Sequence, residues 1–472
     1  AASVCTPSRA SLLTGRLGAR NGVTHNFNPH STGGLPLNET TLAEVLRGAG
    51  YATAMAGKWH LGHTPPHSPP HRGFDRWLGT PMSHDYGCTG HPGGAVFCPH
   101  AAQDVCFPSD PALADPMPCH IGPYTPWALA VPVYENDTIV EQPADLTTLA
   151  DRYAAFAARF VADSAAAKAP FFLYLAWNHM HIPVGNHRPE FTNSSANGIY
   201  GDTMRQLDEA VGTVLDALDE AGVADETLVL LTGDNGGAVD QCEFGGSNGP
   251  FTGGWLAKHA SGGQSGKLST WEGGHREPGL AVWPGHIAPN GTSHALASTL
   301  DFMPTIAALA GAALPADRVY DGVDLAPVLF GDGSASVREV LFHPNSGCEG
   351  TIGDIETVRV GRYKAKYRTG GSGADCAGNK TEDAFHDPPL IFDLAADVSE
   401  TDPLDAASPE FAKALAAAQA ALAQLKASLA ADNTSQAADY NDPRYAPCCN
   451  PANAFCVCEA PAEWAATGPT AP

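Results

Sequence analysis

The sequence predicts an α/β fold in which helices cover both faces of a sheet, followed by a smaller domain of a different kind. Helix and strand patterns alternate from residue 41 to residue 310, which is typical of sheets whose parallel strands are joined by crossover helices. After about residue 330 the predicted strands are short, and few helices separate them. We therefore place the main domain at residues 1–330 and a C-terminal α+β subdomain with a cysteine-rich tail at residues 331–472.

Apolar spacing assigns the individual elements. The clearest example runs from Met204 to Ala221, where apolar side chains recur at helical spacing and predict a helix with one buried face. By the same reasoning, the predicted helices are 41–47, 151–168, 204–221, 298–310 and 409–430. The predicted strands are 51–56, 171–177, 227–232, 280–283, 337–343, 355–368 and 390–394.

Polar side chains follow three of the predicted strands. In chain order they are Lys58 with His60, His179 with His181, and Asp234 with Asn235. Ligands of open α/β sheets bind beyond the carboxyl ends of the strands, often where several loops converge. These three clusters are therefore the first candidates for a functional site.

The composition excludes several classes of protein. The 472 residues contain 51 Asp and Glu against 26 Lys and Arg, which gives a net charge of −25. Proteins that bind nucleic acid in general carry the opposite excess. The chain is 43% hydrophobic and 16% charged, which excludes a disordered acidic protein. Because no run of 18 or more uncharged apolar residues occurs, we predict no transmembrane segment.

Cysteines and glycosylation sequons indicate the secretory pathway. Even groups of cysteines in loop-rich segments favour disulfides, although zinc is a competing interpretation for the tail group. The two groups are Cys88, Cys98, Cys106 and Cys119, and Cys448, Cys449, Cys456 and Cys458. Sequons predict glycosylation of Asn38, Asn136, Asn193, Asn290, Asn379 and Asn433. Since the chain starts at Ala1 rather than Met, we expect its true start to be missing.

The segment from Cys5 to Arg16 combines a helix start with a reactive side chain. Pro7 suits the first turn of a helix, which places Cys5 at the helix N-terminus. Backbone N–H groups and the helix dipole favour an anion there, and Arg9, one turn further on, can face the same anion. The alternative is a cysteine at a helix end that is lowered in pKa and otherwise inert.

The same segment carries a family resemblance. Cys5-Thr6-Pro7-Ser8-Arg9, with Leu13-Thr14-Gly15-Arg16, resembles the first sulfatase signature, and the run from Gly50 to His60 resembles the second. Further motifs follow in family order, namely Ser83-His84-Asp85, His179-Met180-His181, Asp234-Asn235-Gly236, Gly266-Lys267 with Glu272-Gly273-Gly274, and Arg276-Glu277-Pro278. The resemblance covers nearly the whole chain and implies an alkaline-phosphatase-like α/β/α sandwich with a large mixed, mostly parallel sheet. The tail cysteines resemble those of the animal arylsulfatase A branch.

The resemblance implies hydrolysis of sulfate monoesters through a formylglycine nucleophile. A formylglycine-generating enzyme would oxidise Cys5 to the aldehyde in the endoplasmic reticulum. One hydroxyl of the hydrated aldehyde attacks sulfur and forms a covalent sulfo-enzyme while the alcohol leaves. Deprotonation of the other hydroxyl then expels sulfate.

The resemblance also assigns roles around the nucleophile. The cations that face the nucleophile and the sulfate are Arg9, Lys58 and Lys267, and such preplaced charges stabilise an anionic transition state. His181 corresponds to the histidine that contacts sulfate and protonates the leaving oxygen. His60 and Ser83 correspond to groups that hydrogen-bond the formylglycine hydroxyls.

A calcium ion is the cofactor that the resemblance implies, and part of its site is absent from the sequence. Asp234 and Asn235 correspond to two oxygen ligands of the family metal. The other two are a consecutive Asp pair on a strand upstream of the nucleophile. Only four residues precede Cys5, and the chain contains no Asp-Asp dipeptide. We therefore expect a truncated chain that lacks its first strand, binds metal poorly and is doubtful as an active enzyme.

Cysteine parity also departs from the family pattern. Without Cys5 and the two groups, Cys242, Cys348 and Cys376 are left over. In the relative, a cysteine just before the Gly-Lys motif pairs with one resembling Cys376, but Ser265 holds that place here. Cys376 then pairs with Cys242 or with Cys348, and one thiol stays free.

Several alternatives remain open at this stage. A phosphonate or phosphate ester hydrolase of the same superfamily is the closest one, and a non-catalytic relative that binds sulfated glycans is the one from another class. A cysteine hydrolase built from Cys5, His84 and Asp85 is weaker, because the sequence lacks the local patterns of that mechanism. The substrate can be cerebroside sulfate, an aryl sulfate or a sulfated polysaccharide. A homo-oligomer and either a lysosome-like or an extracellular location also stay open.

Overall fold

The computed structural model describes residues 1–90, 96–97, 129–182, 184, 186–331, 336–432, 435–442 and 445–447. Its helices are α1 (Cys5–Thr14), α2 (Gly18–Asn21), α3 (Leu42–Gly48), α4 (Leu146–Ala167), α5 (Gly198–Glu220), α6 (Gly254–His259), α7 (Glu272–His275), α8 (Phe302–Leu309), α9 (Ala326–Leu329) and α10 (Pro409–Ala431). Its strands are β1 (Ala52–Gly57), β2 (Arg76–Gly79), β3 (Gly87–Gly90), β4 (Val96–Phe97), β5 (Leu129–Ala130), β6 (Val133–Glu135), β7 (Thr138–Glu141), β8 (Phe171–Ala176), β9 (Val229–Thr232), β10 (Gly279–Val282), β11 (Val340–Phe342), β12 (Thr357–Val360), β13 (Tyr363–Thr369) and β14 (Ala384–Asp393).

The chain divides into two compact units, each made of two stretches of sequence. We call residues 1–26 with 225–436 the first unit. Residues 27–224 with 437–472 form the second unit. Each unit has its own sheets and its own buried clusters, and each is described by itself below.

The second unit is built on a mixed five-stranded sheet with the order β7-β6-β2-β1-β8. Its three strands β2, β1 and β8 are parallel, with Met55 opposite Trp77 on one side and opposite Tyr174 on the other. Strand β6 pairs with β2 in the antiparallel sense, and β7 pairs with β6 in the same sense. Among the described strands, β8 pairs only with β1, and its side chains are mostly half-buried.

Opposite faces of this sheet are covered by different side chains. On β8, Leu173 and Leu175 pack into the cluster formed with helix α4, to which Tyr153 belongs. Phe172 and Tyr174 point the other way and stack on Phe74. Alternation of this kind is the period-2 pattern of a strand covered on both sides. The parallel register pairs Gly57 with Ala176, so β1 and β8 end at the same edge of the sheet.

The first unit contains an antiparallel sheet of the order β11-β12-β13-β14. One face packs against α10, where Val358, Ala365 and Ile391 meet Phe411 and its neighbours. This confirms the predicted α+β character of the C-terminal region. A separate antiparallel pair, β9 with β10, lies in the same unit.

The element boundaries differ from the sequence prediction in two informative places. Helix α4 begins at Leu146 rather than at residue 151, because Asp145 caps it by accepting a hydrogen bond from Thr147 N at 3.0 Å. The single strand predicted at 355–368 is wrong: it is the two strands β12 and β13, which turn at Gly361 with φ of 55°. A short loop, not a break in hydrophobicity, separates these strands, so the pattern alone could not show it.

One of the predicted cysteine pairs is present. Cys242 forms a disulfide with Cys376, and Cys348 is a buried thiol, which agrees with one of the two pairings expected for Cys376. The predictions for both cysteine groups lie outside the described residues, apart from the backbone of Cys88. Among the described helices, none combines the length and the apolarity needed to cross a bilayer.

Gly57, at the end of β1, lies in close backbone contact with the neighbouring strand β8. Its φ is 110°, and a Cβ atom there would stand 1.9 Å from the carbonyl oxygen of Ala176. We expect Gly57→Ala to lower the free energy of unfolding by about 2–4 kcal/mol, through strain and a backbone clash. The matched control is Gly48→Ala in α3, where a Cβ meets no atom within 4 Å. Urea denaturation compares the two, and an equal midpoint for both variants would refute the expectation.

Candidate active site

Helix α1 presents Cys5 at its N-terminal end. Cys5 is the first residue of the helix and is 1% exposed. The amide of Thr6 donates a hydrogen bond to Asn26 Oδ1 at 2.9 Å, and Gly15 ends the helix with φ of 66°. This confirms the predicted helix start, which places Cys5 where backbone N–H groups favour an anion.

Arg9 lies one turn further along α1 and binds an acidic residue from a distant part of the chain. Its Nε and Nη2 atoms contact Asp234 Oδ2 at 2.9 Å and 2.8 Å. The Arg9 side chain is 8% exposed and that of Asp234 is 28% exposed. A charge-assisted pair that is partly screened from water fixes the direction of the guanidinium. The sequence-predicted residues Arg9 and Asp234 are therefore adjacent.

The loop after β9 carries Asp234 and Asn235. Gly236 N donates to the carbonyl of Gly274 at 3.1 Å, and a Cβ on Gly236 would lie 1.8 Å from the carbonyl oxygen of Gly273. This close approach holds the loop in place. Asn235 Nδ2 donates to Gly236 O at 2.9 Å, while Asn235 Oδ1 is buried with no hydrogen-bond partner among the described residues.

The unpartnered oxygen of Asn235 tests whether this loop fits a cation. A buried carbonyl oxygen without a donor is costly unless another positive group contacts it. Carboxylate and amide oxygens are the donors that Ca²⁺ prefers. Asp234 and Asn235 thus fit such an ion, although one Asp234 oxygen already contacts Arg9.

Glu277 belongs to this neighbourhood, and sequence reasoning did not select it. A Cβ on Gly233 would stand 2.0 Å from Glu277 Oε2, and Glu277 Oε1 is buried without a hydrogen-bond partner in the described part of the chain. Burial, and then the negative charge of Asp234, raise the pKa of Glu277 to about 8. The only signal in the sequence was its place in the Arg-Glu-Pro motif.

Two backbone hydrogen bonds place Lys267 beside the other predicted residues of the first unit. Lys267 N donates to Gly237 O at 3.0 Å, which joins its loop to the loop of Asp234. Leu268 N donates to Ser3 O at 2.7 Å, which joins it to the segment that precedes Cys5. The first unit therefore brings together Cys5, Arg9, Asp234, Asn235 and the backbone of Lys267.

The second unit brings together another set of predicted residues, starting from the end of β1. Lys58 follows Gly57 directly, and its amide donates to Ala176 O at 2.7 Å. The Lys58 ammonium donates to Ser83 Oγ at 3.0 Å. Both side chains are nearly inaccessible to water, so the lysine charge acts in a medium of low dielectric.

His60 lies two residues further on in a left-handed conformation, with φ of 60°. Its Nε2 contacts Phe27 O at 2.8 Å. Because a carbonyl oxygen only accepts, Nε2 carries the hydrogen, and Nδ1 is the acceptor in the neutral ring. The ring edge also rests on Tyr86, with centroids 5.4 Å apart. Backbone strain and a defined tautomer at one residue are frequent at functional sites.

His181 is oriented by its own backbone and by an acidic neighbour. Its Nδ1 donates to Ile182 O at 2.8 Å and lies 3.9 Å from Asp85 Oδ1. The side chain is 16% exposed. Since Nδ1 holds a hydrogen, Nε2 is the nitrogen that can give or take a proton.

A buried chain of hydrogen bonds stands behind His181, and sequence reasoning missed it. Tyr153 OH donates to Asn178 Oδ1 at 2.9 Å, and Asn178 Nδ2 lies 3.3 Å from His84 Nδ1. The His84 ring contacts the His181 ring edge to face, at 5.4 Å between centroids. Burial, followed by the His181 charge, lowers the pKa of His84 to about 3. His84 therefore stays neutral and packs against His181 as an uncharged ring.

The predicted glycosylation sites lie at the surface where the structure describes them. Asn38, Asn136, Asn193, Asn290 and Asn379 are exposed, and Asn433 lies outside the described residues. Exposure is required for modification but does not establish it, so these sites stay predictions.

Comparison with protein families decides the family. The sulfatase family matches residues 1–312, and the C-terminal region of aryl-sulfatase matches residues 336–458. The chain belongs to the sulfatase family. Sulfatases are sulfuric ester hydrolases, so the family assignment identifies the class of reaction, and the resemblance stated from the sequence motifs is confirmed.

Two groups of named relatives cover most of this sulfatase. Arylsulfatase G of Canis lupus familiaris is 49% identical over 461 residues, covering 98% of this chain and 83% of that protein. Arylsulfatase A of Homo sapiens is 42% identical over 463 residues, covering 95% of this chain and 84% of that protein. The chain thus resembles arylsulfatase A, as the sequence motifs indicated, and its identity to arylsulfatase G is higher.

A solved structure supports the fold of this sulfatase. The PsFucS1 sulfatase from Pseudoalteromonas sp. matches with a TM-score of 0.75 and 22% identity, over 93% of this chain and 83% of that chain. At this identity the likeness concerns the fold alone. It confirms the predicted alkaline-phosphatase-like architecture, with a mixed, mostly parallel central sheet and a separate antiparallel sheet.

The buried ring of His84 predicts a pH-dependent stability. Its folded pKa of about 3 lies below the unfolded value of about 6.5. Below pH 6.5, His84 is protonated in the unfolded chain but stays neutral in the folded protein. The free energy of unfolding therefore falls as the pH decreases toward 3. His84→Gln has no titrating side chain at this position. As the pH is lowered from 7.5 to 4.5, the free energy of unfolding of the variant should therefore increase by about 2–3 kcal/mol relative to that of wild type.

Urea denaturation of both proteins at the two pH values measures this difference. The exposed His286→Gln in the first unit serves as the control, because no pH-dependent difference is expected there. A difference between wild type and His84→Gln that is the same at pH 7.5 and 4.5 would contradict the buried neutral ring.

Proposed function

We propose that this sulfatase hydrolyses sulfate monoesters through a formylglycine made from Cys5, with a calcium ion held in part by Asp234 and Asn235. The observation that carries the proposal is the position of Cys5 as the buried first residue of α1. Arg9 follows one turn later and is fixed by Asp234. The proposed nucleophile Cys5, the cation Arg9 and the proposed metal ligand Asp234 thus lie close together although Asp234 is distant in sequence.

Formylglycine supplies a hydrated aldehyde whose one hydroxyl serves as nucleophile while the other allows release of sulfate. The chain's own contribution at this point is electrostatic. The N-terminus of α1 directs backbone N–H groups and the positive end of its dipole toward Cys5. We propose the formylglycine-generating enzyme as the partner that modifies Cys5 during biosynthesis.

The cations Arg9, Lys58 and Lys267 are proposed to bind the sulfate group and to stabilise the charge that develops on its oxygens. Arg9 and Lys58 are almost fully buried, where a charge acts more strongly than in water and needs no reorganisation during the reaction. Arg9 is held by Asp234 and Lys58 by Ser83. Both are therefore oriented before substrate binds.

His181 is proposed as the acid that protonates the leaving oxygen. Its Nδ1 hydrogen bond to Ile182 O leaves Nε2 to carry the transferable proton. Asp85 Oδ1 lies 3.9 Å from the same Nδ1. His60 and Ser83 are proposed to hydrogen-bond the hydroxyls of the modified residue 5. In His60, Nδ1 is the accepting nitrogen, because Nε2 donates to Phe27 O.

Calcium would supply a positive charge that polarises a sulfate oxygen. Asp234 and Asn235 are its proposed ligands in this chain, because Asn235 Oδ1 is buried without a hydrogen-bond partner in the described residues. Within the described residues, no group of three or more His, Cys, Asp or Glu could hold a metal, so Asp234 and Asn235 are the two ligands proposed here.

The remaining assignments follow from the family and from the cysteine chemistry. We propose residues 1–330 as the catalytic domain and residues 331–472 as its C-terminal subdomain. The disulfide between Cys242 and Cys376 supports an oxidising compartment, and with the exposed sequons it favours the secretory pathway, with a lysosome-like or extracellular destination. The names of the relatives, arylsulfatase and steryl-sulfatase, make an aryl sulfate the first substrate to test.

Turnover of an aryl sulfate tests the nucleophile. We expect p-nitrophenyl sulfate to be hydrolysed in preference to p-nitrophenyl phosphate, and peptide mass spectrometry to find an aldehyde at position 5. Cys5→Ser should lower kcat by at least about 10³-fold, because serine lacks the second hydroxyl that releases sulfate. The matched control is Cys348→Ala, another buried thiol of the first unit. A Cys5 thiol in an active enzyme would refute the mechanism, and faster turnover of the phosphate would favour the ester hydrolase alternative.

Calcium-dependent stability tests the metal ligands. A ligand at 100 times its Kd stabilises the folded state by about 2.7 kcal/mol. Even with the weak binding expected from the sequence, Ca²⁺ at concentrations well above its Kd should therefore raise the Tm. Asn235→Ala should shift this response to at least tenfold higher Ca²⁺, which corresponds to about 1.4 kcal/mol of binding free energy. Asn197→Ala, an exposed asparagine whose side chain caps nothing, is the control. An unchanged calcium response in Asn235→Ala would exclude this residue as a ligand.

A further inference from the structure

The first unit contains two buried lysines on one face of strand β13. Lys364 and Lys366 are both 0% exposed, and since they are two residues apart they point to the same side of the sheet. Ala365, between them, packs on the opposite face against α10. A buried lysine is expensive unless it is paired, so the partners of these two ammonium groups indicate what the pair is for.

Both lysines bind the segment that connects the Lys267 loop with helix α7. Lys366 Nζ contacts Glu349 Oε1 and Oε2 at 2.7 Å and 2.8 Å and donates to Thr270 Oγ1. It also lies 4.3 Å from the centroid of the Trp271 ring. Burial lowers the pKa of the Lys366 ammonium, and Glu349 counteracts that shift. Two contacts thus join residues 270 and 271 to one ammonium group, and Glu349 balances its charge.

Lys364 holds the next residue of the same segment. Its Nζ lies 3.1 Å from Glu272 Oε1 and 2.9 Å from Glu400 Oε1. Glu400 Oε2 in turn accepts a hydrogen bond from Glu272 N at 2.6 Å. Arg359 contacts the other Glu272 oxygen at 3.4 Å. Lys364, Lys366 and Arg359 of the antiparallel sheet therefore hold residues 270–272 in place through hydrogen bonds and ion pairs.

Backbone hydrogen bonds on both sides of residues 270–272 connect this segment to the candidate active site. On one side, the amide of Lys267 donates to Gly237 O, and that of Leu268 donates to Ser3 O. On the other side, Gly274 O accepts from Gly236 N, in the loop of Asp234 and Asn235. Movement at residues 270–272 would thus reach both loops through short lengths of chain.

We propose that Lys366, with Glu349, is a positioning residue that sets the place of the Lys267 ammonium for sulfate binding. The proposal rests on the proposed function, because Lys267 is its sulfate-binding residue. Lys366 itself contacts Glu349, Thr270 and Trp271, and it acts on sulfate through the Thr270–Trp271 segment. A displacement of about 1 Å in a binding group costs on the order of 10²-fold in rate, so the effect should be measurable far from the chemistry.

Binding of inorganic sulfate, measured by titration calorimetry, tests the proposal without requiring turnover. Lys366→Met should weaken sulfate binding at least about tenfold, and Lys366→Arg should restore part of it. In a Lys267→Ala background, Lys366→Met should have no further effect, because the two residues act on the same contact. Equal and additive effects in both backgrounds would overturn the proposal.

Matched variants separate positioning from loss of stability. Arg72→Met removes another buried cation, paired with Glu44 in the second unit, and should lower the Tm without changing sulfate affinity per folded molecule. If Lys366→Met does not fold, the double variant Lys366→Met with Glu349→Gln leaves no buried charge unpaired and takes its place. Full sulfate affinity in that variant would also overturn the proposal.

The two proposals fail in distinguishable ways. If wild type binds sulfate but does not hydrolyse p-nitrophenyl sulfate, the proposed function is wrong, and the sulfate titrations still decide the role of Lys366. If wild type hydrolyses the aryl sulfate while Lys366→Met keeps its sulfate affinity, only the positioning role is wrong. If wild type hydrolyses the aryl sulfate but binds no inorganic sulfate, the positioning role is wrong and the proposed function stands.

Discussion

The ion pair between Arg9 and Asp234 is the interaction on which the rest of the candidate site depends. It joins residues 225 positions apart, and it brings the N-terminus of α1 to the loop that follows β9. Without it, Arg9 would be a buried guanidinium with one carboxylate fewer to balance its charge, which is a large cost in a partly dehydrated place. The same ion pair orients Arg9 one helical turn after Cys5. The next residue after Asp234 is Asn235, whose Oδ1 is buried without a hydrogen-bond partner in the described part of the chain.

Close backbone packing then transmits this arrangement through the first unit. The carbonyl oxygen of Gly273 approaches Gly236 so closely that no side chain would fit there. The loop of Asp234 and Asn235 therefore packs against the chain just after residues 270–272, which the buried lysines hold. The sheet that carries those lysines is packed against α10 on its other face. The C-terminal region therefore supports the segment at residues 270–272 through the buried contacts of Lys364 and Lys366.

Much of this could be predicted from the sequence, and the failures have definite causes. Strand ends marked by Lys58, His181 and Asp234 were visible because polar residues directly follow apolar runs. The start of α4 was misplaced because a cap depends on one side chain, Asp145. Glu277 was missed since its importance lies in a contact with the backbone of Gly233. Lysines are normally exposed, so no pattern distinguished Lys364 and Lys366 from surface residues before their partners were known.

The net charge of the chain is negative, whereas Arg9 and Lys58, which are proposed to bind sulfate, are buried cations. A net charge of −25 repels an anionic ester only at long range, and salt screens that field beyond about 8 Å. Arg9 and Lys58 lie almost wholly out of water, where interactions are much less screened. Each is also fixed by a hydrogen-bond partner, so little ordering is needed when an anion arrives. Under the proposed function, sulfate is therefore recognised by a few preoriented cations rather than by the net charge of the chain.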